Sequence, residues 1–428
     1  MREMKDSGVE WIGEIPSHWP LMRFKDKYIN KKEIAKEQSV EYERLALTMN
    51  GVIKRPKDDA EGLQPKEFDG YQIVRTNDFI FKMIDLQNIS TSRVGLSPYT
   101  GLVSPAYIRF SPKQDGQFNQ YVYYFLMSLY YNRVFNNLGG NGVRSALNAK
   151  DMGDFVIPFP AEEDQRRICA YIDSQKAGVD ALISNVQAQI EKLKAYKQSL
   201  ITEVVTKGLD PTVPMKDSGV EWLGKVPQHW EVYRIANLYA ERSESGLPEL
   251  PLLTVSINTG VSDHEVDDSD KGRVFIRMED RTKYKRVCPG DLTYNMMRAW
   301  QGAFGAVRVN GLVSPAYVVA KPKNEIPLDS RYIEALLRTP VAIEEMHRYS
   351  RGIIDFRLRL YWPEFKNIQI CLPPFDEQTR IADYIDEIAS KVDSLIAIKQ
   401  AKIEKLEQYK RSLIYEYVTG KKEVPAQT

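Results

Sequence analysis

The chain has 428 residues, enough for two to four domains with cores of their own, and its 59 Lys and Arg against 58 Asp and Glu leave a formal charge of +1. That balance excludes a polybasic tail while allowing local basic faces. Three cysteines (Cys169, Cys288, Cys371) at no short spacing point to neither a disulfide framework nor a zinc site, and no apolar run approaches the ~20 residues a membrane helix needs.

The opening MREMKDSG is too polar for a signal peptide, so a cytoplasmic protein is expected. Met4–Trp11 reads MKDSGVEW and returns unchanged at Met215–Trp222. Both copies run on to a Pro and a His-Trp pair: Pro16, His18 and Trp19, then Pro227, His229 and Trp230. Gly101–Tyr107, GLVSPAY, returns as Gly311–Tyr317. A repeat of about 212 residues therefore governs the chain. Inside the first half, alternating or β-branched runs predict strands at Arg44–Met49, Tyr71–Val74, Asp78–Met83 and Tyr107–Phe110, answered in the second by Leu252–Ile257, Asp291–Met296 and Tyr317–Ala320. Helical patterning covers Asn119–Leu138 and Ser330–His347.

Each half then leaves through a Pro-bearing exit (Pro160; Pro373 and Pro374) into acidic residues, a helix start. In the first copy Ile172, Val179, Val186, Leu193 and Leu200 recur every seventh residue, with Ile168, Leu182, Ile190 and Val204 interleaved. The second keeps Ile385, Val392, Leu406 and Leu413, with Leu395 and Ile403 between them. This is the seam of a coiled coil, and each copy should span roughly 60 Å. Only Gly178 interrupts.

The expected fold is α+β (mixed α/β): two similar globular domains, 1–160 and 209–373, joined by two long helices, 161–208 and 374–421, with a tail at 422–428. Helix two must lie antiparallel on helix one to bury its stripe, which creates an internal pseudo-twofold repeat. A bar carrying two similar but unequal domains suits two unlike DNA half-sites at a set spacing. The alternative is a non-DNA coiled-coil scaffold that holds two copies of a protein partner. Divergence between the framework segments, Lys82–Gln87 (KMIDLQ) against Asn295–Trp300 (NMMRAW), favours unequal half-sites.

PPFDEQTRIADYID at Pro373–Asp386, the doubled SGVEW opening and the doubled GLVSPAY resemble the specificity subunit of type I restriction–modification systems, over essentially the whole chain. The first helix start departs slightly, with Pro160-Ala161 and Asp164 in place of Pro373-Pro374 and Glu377. The resemblance implies a non-catalytic subunit with two target-recognition domains that read a bipartite target in double-stranded DNA. It implies two modification subunits and restriction subunits as partners. S-adenosylmethionine, ATP and Mg then belong to those partners, with no cofactor on this chain.

Aligned on the helices, Arg144 answers Arg357 and Leu147 answers Leu360; each Arg follows a Gly-bearing turn that lets backbone approach phosphate, and Arg grips phosphate or guanine bidentately. The second domain adds Arg273, Arg277, Arg281, Lys283, Lys285, Arg286 and Arg298, the first Lys54, Arg55, Lys57, Lys82 and Arg93. Asn50 and Asn258 follow matched strands and have the amide that reads adenine edges, though Asn also simply ends strands. Near the helix starts Tyr171, Ile172, Tyr384 and Ile385 are candidates for docking a partner subunit. Ser104 and Ser314 lie in no G-x-S-x-G elbow, and no P-loop or adenine-methylase motif occurs.

Overall fold

The computed structural model describes residues 2–48, 51–59, 67–83, 93–138, 147–265, 280–323, 325–352 and 357–425. The chain divides into two compact units, 1–187 with 400–428 and 188–399. The division falls inside both long helices, so each unit holds one globular half and a stretch of each helix.

In the first unit the opening repeat is a hairpin, Met4–Asp6 against Glu14–Pro16, whose tight return uses Gly8 and Gly13 at positive φ. The globular half is closed by its two ends, because Leu21–Arg23 pairs antiparallel with Val156–Pro158. The Pro-bearing exit is therefore a strand. One sheet runs Tyr28–Asn30, Ile108–Pro112, Phe79–Phe81, Val94–Leu96, all antiparallel; a second runs Gly51–Arg55, Arg44–Thr48, Gly101–Val103, Gln72–Val74. Alternation along Phe79–Phe81 explains why both faces are dry. Phe79 and Phe81 join the main core, and Ile80 faces a smaller one with Leu45, Leu47, Val52, Val74 and Val103.

The helical stretch 119–138 splits into Gln120–Tyr131 and Val134–Leu138, because Arg133 adopts a left-handed φ of 57°. In the second unit 330–347 splits likewise into Ser330–Leu337 and Pro340–Tyr349, where Pro340 opens a new helix capped by the Thr339 hydroxyl.

The second unit repeats the plan: hairpin Met215–Asp217/Lys225–Pro227, closing pair Glu231–Arg234/Gln369–Leu372, and a sheet Tyr239–Glu241, Tyr317–Pro322, Leu292–Asn295, Phe304–Ala306. The run expected as a strand over 252–257 pairs at Val255–Ser256, with Gly260–Val261, and through a lone parallel bridge of Leu252 to Leu312.

The long helices are Glu162–Lys207 and Phe375–Val418, both with acidic first turns that suit the positive end of the helix dipole. Within the first unit their segments run in opposite directions: Tyr171 packs on Tyr417 at 4.8 Å, and Lys410 Nζ meets Asp180 Oδ1 at 2.8 Å. Within the second unit Lys197 pairs with Asp393 at 2.6 Å, and Lys399 donates to Gln189 at 2.6 Å. The seam is corrected at one place in each helix. Leu182 and Leu395 are 50% and 47% exposed, while the adjacent Ile183 and Ile396 are half-buried. A straight α-helix drifts about 20° per heptad from a seven-residue repeat, so the inward position slips to the next residue.

The repeated His-Trp segment is the socket for a helix end. Trp19 and Trp230 are buried, and each lies against the glycine that ends a long helix: Gly420 in the first unit, Gly208 in the second. Tyr121 and Tyr332, at matching places on the short helices, donate their hydroxyls to Val418 O at 2.7 Å and Val205 O at 3.0 Å.

Candidate nucleic-acid interface

In the second unit the strand Leu292–Asn295 runs straight into a tight, polar-faced turn. Arg298 N–H donates to Asn295 O at 2.9 Å and Met297 N–H to Asn295 Oδ1 at 3.0 Å, while Ala299 is buried beneath and Gly302 at φ 89° ends the turn. Met297 and Arg298 are left exposed, and Trp300 is held by its indole N–H on Met297 O at 3.0 Å and by an edge contact to His347 at 5.7 Å. A separate segment is bonded alongside. Leu360 N–H donates to Met296 O at 2.9 Å, and Arg351 and Arg359 exchange backbone bonds of 2.8 and 2.9 Å. Arg357 is exposed on that segment, as is Tyr361, and Arg351 reaches out to Glu364 at 2.6 Å. Exposed guanidinium groups and large apolar side chains thus stand on two segments bonded to each other, the chemistry that grips phosphate and lies against bases.

Arg298 also bears on the GLVSPAY repeat. Burial pushes the Tyr317 hydroxyl up, with the Arg298 charge drawing it back. Ser104 and Ser314 close local turns there, each hydroxyl accepting the N–H two residues on, a framework role.

The first unit has the same joint: Leu147 N–H donates to Met83 O at 3.2 Å. Arg144 beside it lies outside the described residues, as do Asn50, Arg273 and Arg277. Lys54 is exposed but ion-paired with Glu43 at 2.5 Å, and Lys57 donates to Ser39 O at 2.7 Å. Arg55 is bound to Asp59 at 2.5 Å. Lys82 is half-buried, its N–H donating to Arg93 O at 2.9 Å.

Arg93 is corrected: it is 1% exposed, among the largest buried side chains, and its guanidinium does not reach the surface where a phosphate would sit. In the second domain Arg281 is turned inward to Leu250 O at 3.1 Å and Glu265 at 2.9 Å, whereas Lys283 is exposed and 3.8 Å from Asp280. Lys285 donates to Tyr317 O at 2.7 Å and Arg286 lies 3.8 Å from Glu244. Asn258 is exposed at a hairpin tip.

Two of the partner candidates are also corrected. Ile172 and Ile385 are buried in the cores of their units, and Tyr171 and Tyr384 pack partly against them. A residue one helical step from the domain faces the domain, which the seam pattern does not reveal. Sequence reasoning missed Arg351, Arg359 and Tyr361, because their placement depends on the pairing at Met296 rather than on local composition. Among the described residues no cluster of His, Cys, Asp and Glu is placed to hold a metal ion, and no helix is long and apolar enough to cross a membrane.

Each unit thus has a globular half with such a joint, packed on stretches of two long helices. Residues 21–192 match the family model of the type I restriction modification DNA specificity domain. A type I restriction enzyme specificity subunit of Methanocaldococcus jannaschii, MjaVIII, is 23% identical over 426 residues, covering 95% of this chain and 93% of its own length. The EcoBI specificity subunit of Escherichia coli is 20% identical over 300 residues, 66% of this chain and 61% of its own. A chain from a solved structure on the assembly and conformational transition of the type I R-M system shares the fold, with a TM-score of 0.62 at 14% identity over 94% of this chain and 98% of that one. Residues 21–192 thus carry the type I restriction modification DNA specificity domain, and over nearly its whole length the chain is similar to type I restriction enzyme specificity subunits.

Proposed function

We propose that this subunit reads an asymmetric, bipartite target in double-stranded DNA, one half-site for each recognition domain. The observation that carries the reading is the repeated joint, Leu147 on Met83 and Leu360 on Met296, which holds equivalent framework in place while the neighbouring side chains differ. Conserved framework with exchanged surface is what two unlike half-sites require. In the second domain Arg298 and Arg357 supply phosphate or guanine contacts, and Trp300 and Tyr361 supply apolar surface against the bases.

The subunit also anchors two modification subunits, which carry S-adenosylmethionine, and restriction subunits, which use ATP and Mg. It neither methylates nor cuts by itself, and it works in the cytoplasm. The docking faces are the exposed apolar residues of the long helices: Leu182 and Tyr409 in the first unit, Tyr196, Leu395 and Ile398 in the second. Large apolar groups left in water on a helix otherwise covered with charge mark an interaction surface.

The test is to express the chain with its modification subunit in a host lacking adenine methylation and to sequence the modified adenines. Two unlike short motifs at a fixed gap are expected. Unmodified DNA from an assembled complex would overturn the reading in favour of a protein scaffold.

A further inference from the structure

The hairpin Val255–Ser256/Gly260–Val261 has two register pairs and an exposed tip of Ile257, Asn258 and Thr259. So short a ladder cannot hold a tip in one conformation by itself. The Ser256 hydroxyl caps the tip from within, accepting from the Asn258 N–H at 3.1 Å, and a helix side chain holds it from outside. Arg338, at the end of the helix Ser330–Leu337, donates through Nη2 to Ile257 O at 2.9 Å and to Asn258 O at 2.7 Å. Its Nη1 lies 3.3 Å from Glu334 Oε1, one helical turn back.

The surroundings are built to admit this pair. The Glu334 carboxylate is mostly buried; burial pushes it up, and Arg338, the Ala306 N–H and Arg308 draw it back. Gly260 has φ 74°, and a Cβ there would land on Glu334 Oε1 and 2.6 Å from Arg338 Nη1. A Cβ on Gly305 would stand 2.8 Å from Val261 N and 3.1 Å from Glu334 Oε1. Two glycines therefore keep open the space that the ion pair fills.

The first domain fills the same corner with hydrocarbon. A Cβ on Gly95, which answers Gly305, would meet Leu47 Cδ1 at 2.6 Å and Val52 Cγ2 at 2.7 Å. With Tyr121 matched to Tyr332, the places of Glu334 and Arg338 are taken there by Tyr123 and Met127. The clamp thus belongs to one domain, as a device for one half-site would.

The tip is bordered by an open cleft of about 740 Å³ that Ile257 and Asn258 line. With the carbonyls of 257 and 258 held inward by Arg338, the Asn258 amide and the Thr259 hydroxyl are the outward polar groups. An Asn amide pairs with the N6 and N7 edge of adenine.

We propose that Arg338 is a positioning residue for sequence readout, fixing the 257–259 tip as a base-reading element of the second recognition domain, with Asn258 as the reading side chain. This rests on the DNA-reading function proposed above.

The test uses full-length chains assembled with their modification subunits: wild type, R338A, R338K and N258A. Each complex selects from a randomised duplex library, the bound DNA is sequenced, and thermal unfolding checks that each variant is folded. R338A should relax preference at one or two base pairs of one half-site by about tenfold while the other half-site is unchanged. N258A, an exposed substitution that leaves the fold alone, should relax the same positions. R338K should fall between, since an ammonium keeps the charge but lacks the planar fork that holds the tip carbonyls through Nη2 while Nη1 stays on Glu334. Wild-type preference in both N258A and folded R338A would overturn the inference and leave the functional reading standing. A wild-type complex that selects no motif would overturn both.

Discussion

Tyr332 donates its buried hydroxyl to the carbonyl of Val205 across 3.0 Å, tying the short helix of the second globular half to the last turn of a long helix that starts at Glu162. The last four carbonyls of an α-helix have no partner within it, and a buried one must find another donor. Tyr121 does the same for Val418 in the first unit. The long helices are therefore received at their ends, as well as along their seam.

Replacing either tyrosine by phenylalanine should leave a buried carbonyl unsatisfied at a cost of about 1–3 kcal/mol. Urea unfolding of Y121F and Y332F should show lowered midpoints with unchanged slopes. Midpoints equal to wild type would mean that water reaches those carbonyls.

The two helix-ending glycines should differ in tolerance. Both have positive φ, 69° at Gly420 and 79° at Gly208, so an alanine is strained at either. At Gly420 the new Cβ would also meet Pro16 Cδ at 2.5 Å and Trp19 at 3.0 Å, whereas at Gly208 the nearest atom is the flexible Glu377 Oε1 at 3.1 Å. G420A should lower Tm more than G208A, by the equivalent of about 1 kcal/mol or more.

Arg298 and Arg93 should separate binding from folding. R298A removes an exposed guanidinium and should weaken DNA binding by about tenfold with Tm unchanged and a shallower salt dependence. R93A removes a buried one and should lower Tm in the absence of DNA. Salt-titrated binding isotherms beside melting curves give both readouts.

Leu182 and Ile172 should separate docking from folding in the same way. L182E and L395E put charge on exposed positions and should leave the isolated subunit folded while reducing co-purification of the modification subunit. I172E buries a charge in the first core and should cost several kcal/mol of stability.

Acid should act through Glu33. Burial pushes its carboxyl up, but Arg109 at 3.0 Å and Arg75 at 2.7 Å pull it further down, leaving it below its ordinary value of 4.5. A depressed carboxylate stabilises the fold above its unfolded pKa, and that contribution is lost as pH falls through the folded value. E33Q should therefore be less stable than wild type at pH 7 and converge with it well below pH 4.5, by urea unfolding at each pH. Divergence that grew toward low pH would reverse the sign and refute the assignment.

Much of this architecture was legible in the chain. Repetition of MKDSGVEW, GLVSPAY and the apolar seam determined two like halves and two long helices, because a repeated pattern of side chains must meet a repeated pattern of burial. Local signals also placed the acidic helix starts. What the seam could not reveal was which of two adjacent apolar residues faces inward, Leu182 or Ile183, because that turns on the helix's drift against its neighbour.

The sequence by itself determined the repeated plan and the residue types available for a charged surface. Only the tertiary structure decided which of them reach the surface. Arg93 and Arg298 are the same side chain, and composition ranks them alike. The first is enclosed in its domain, and the second is lifted out on a turn anchored by buried Ala299 and braced where Leu360 bonds to Met296. Burial is a property of long-range packing, and a charge is free to meet a phosphate only where that packing ends.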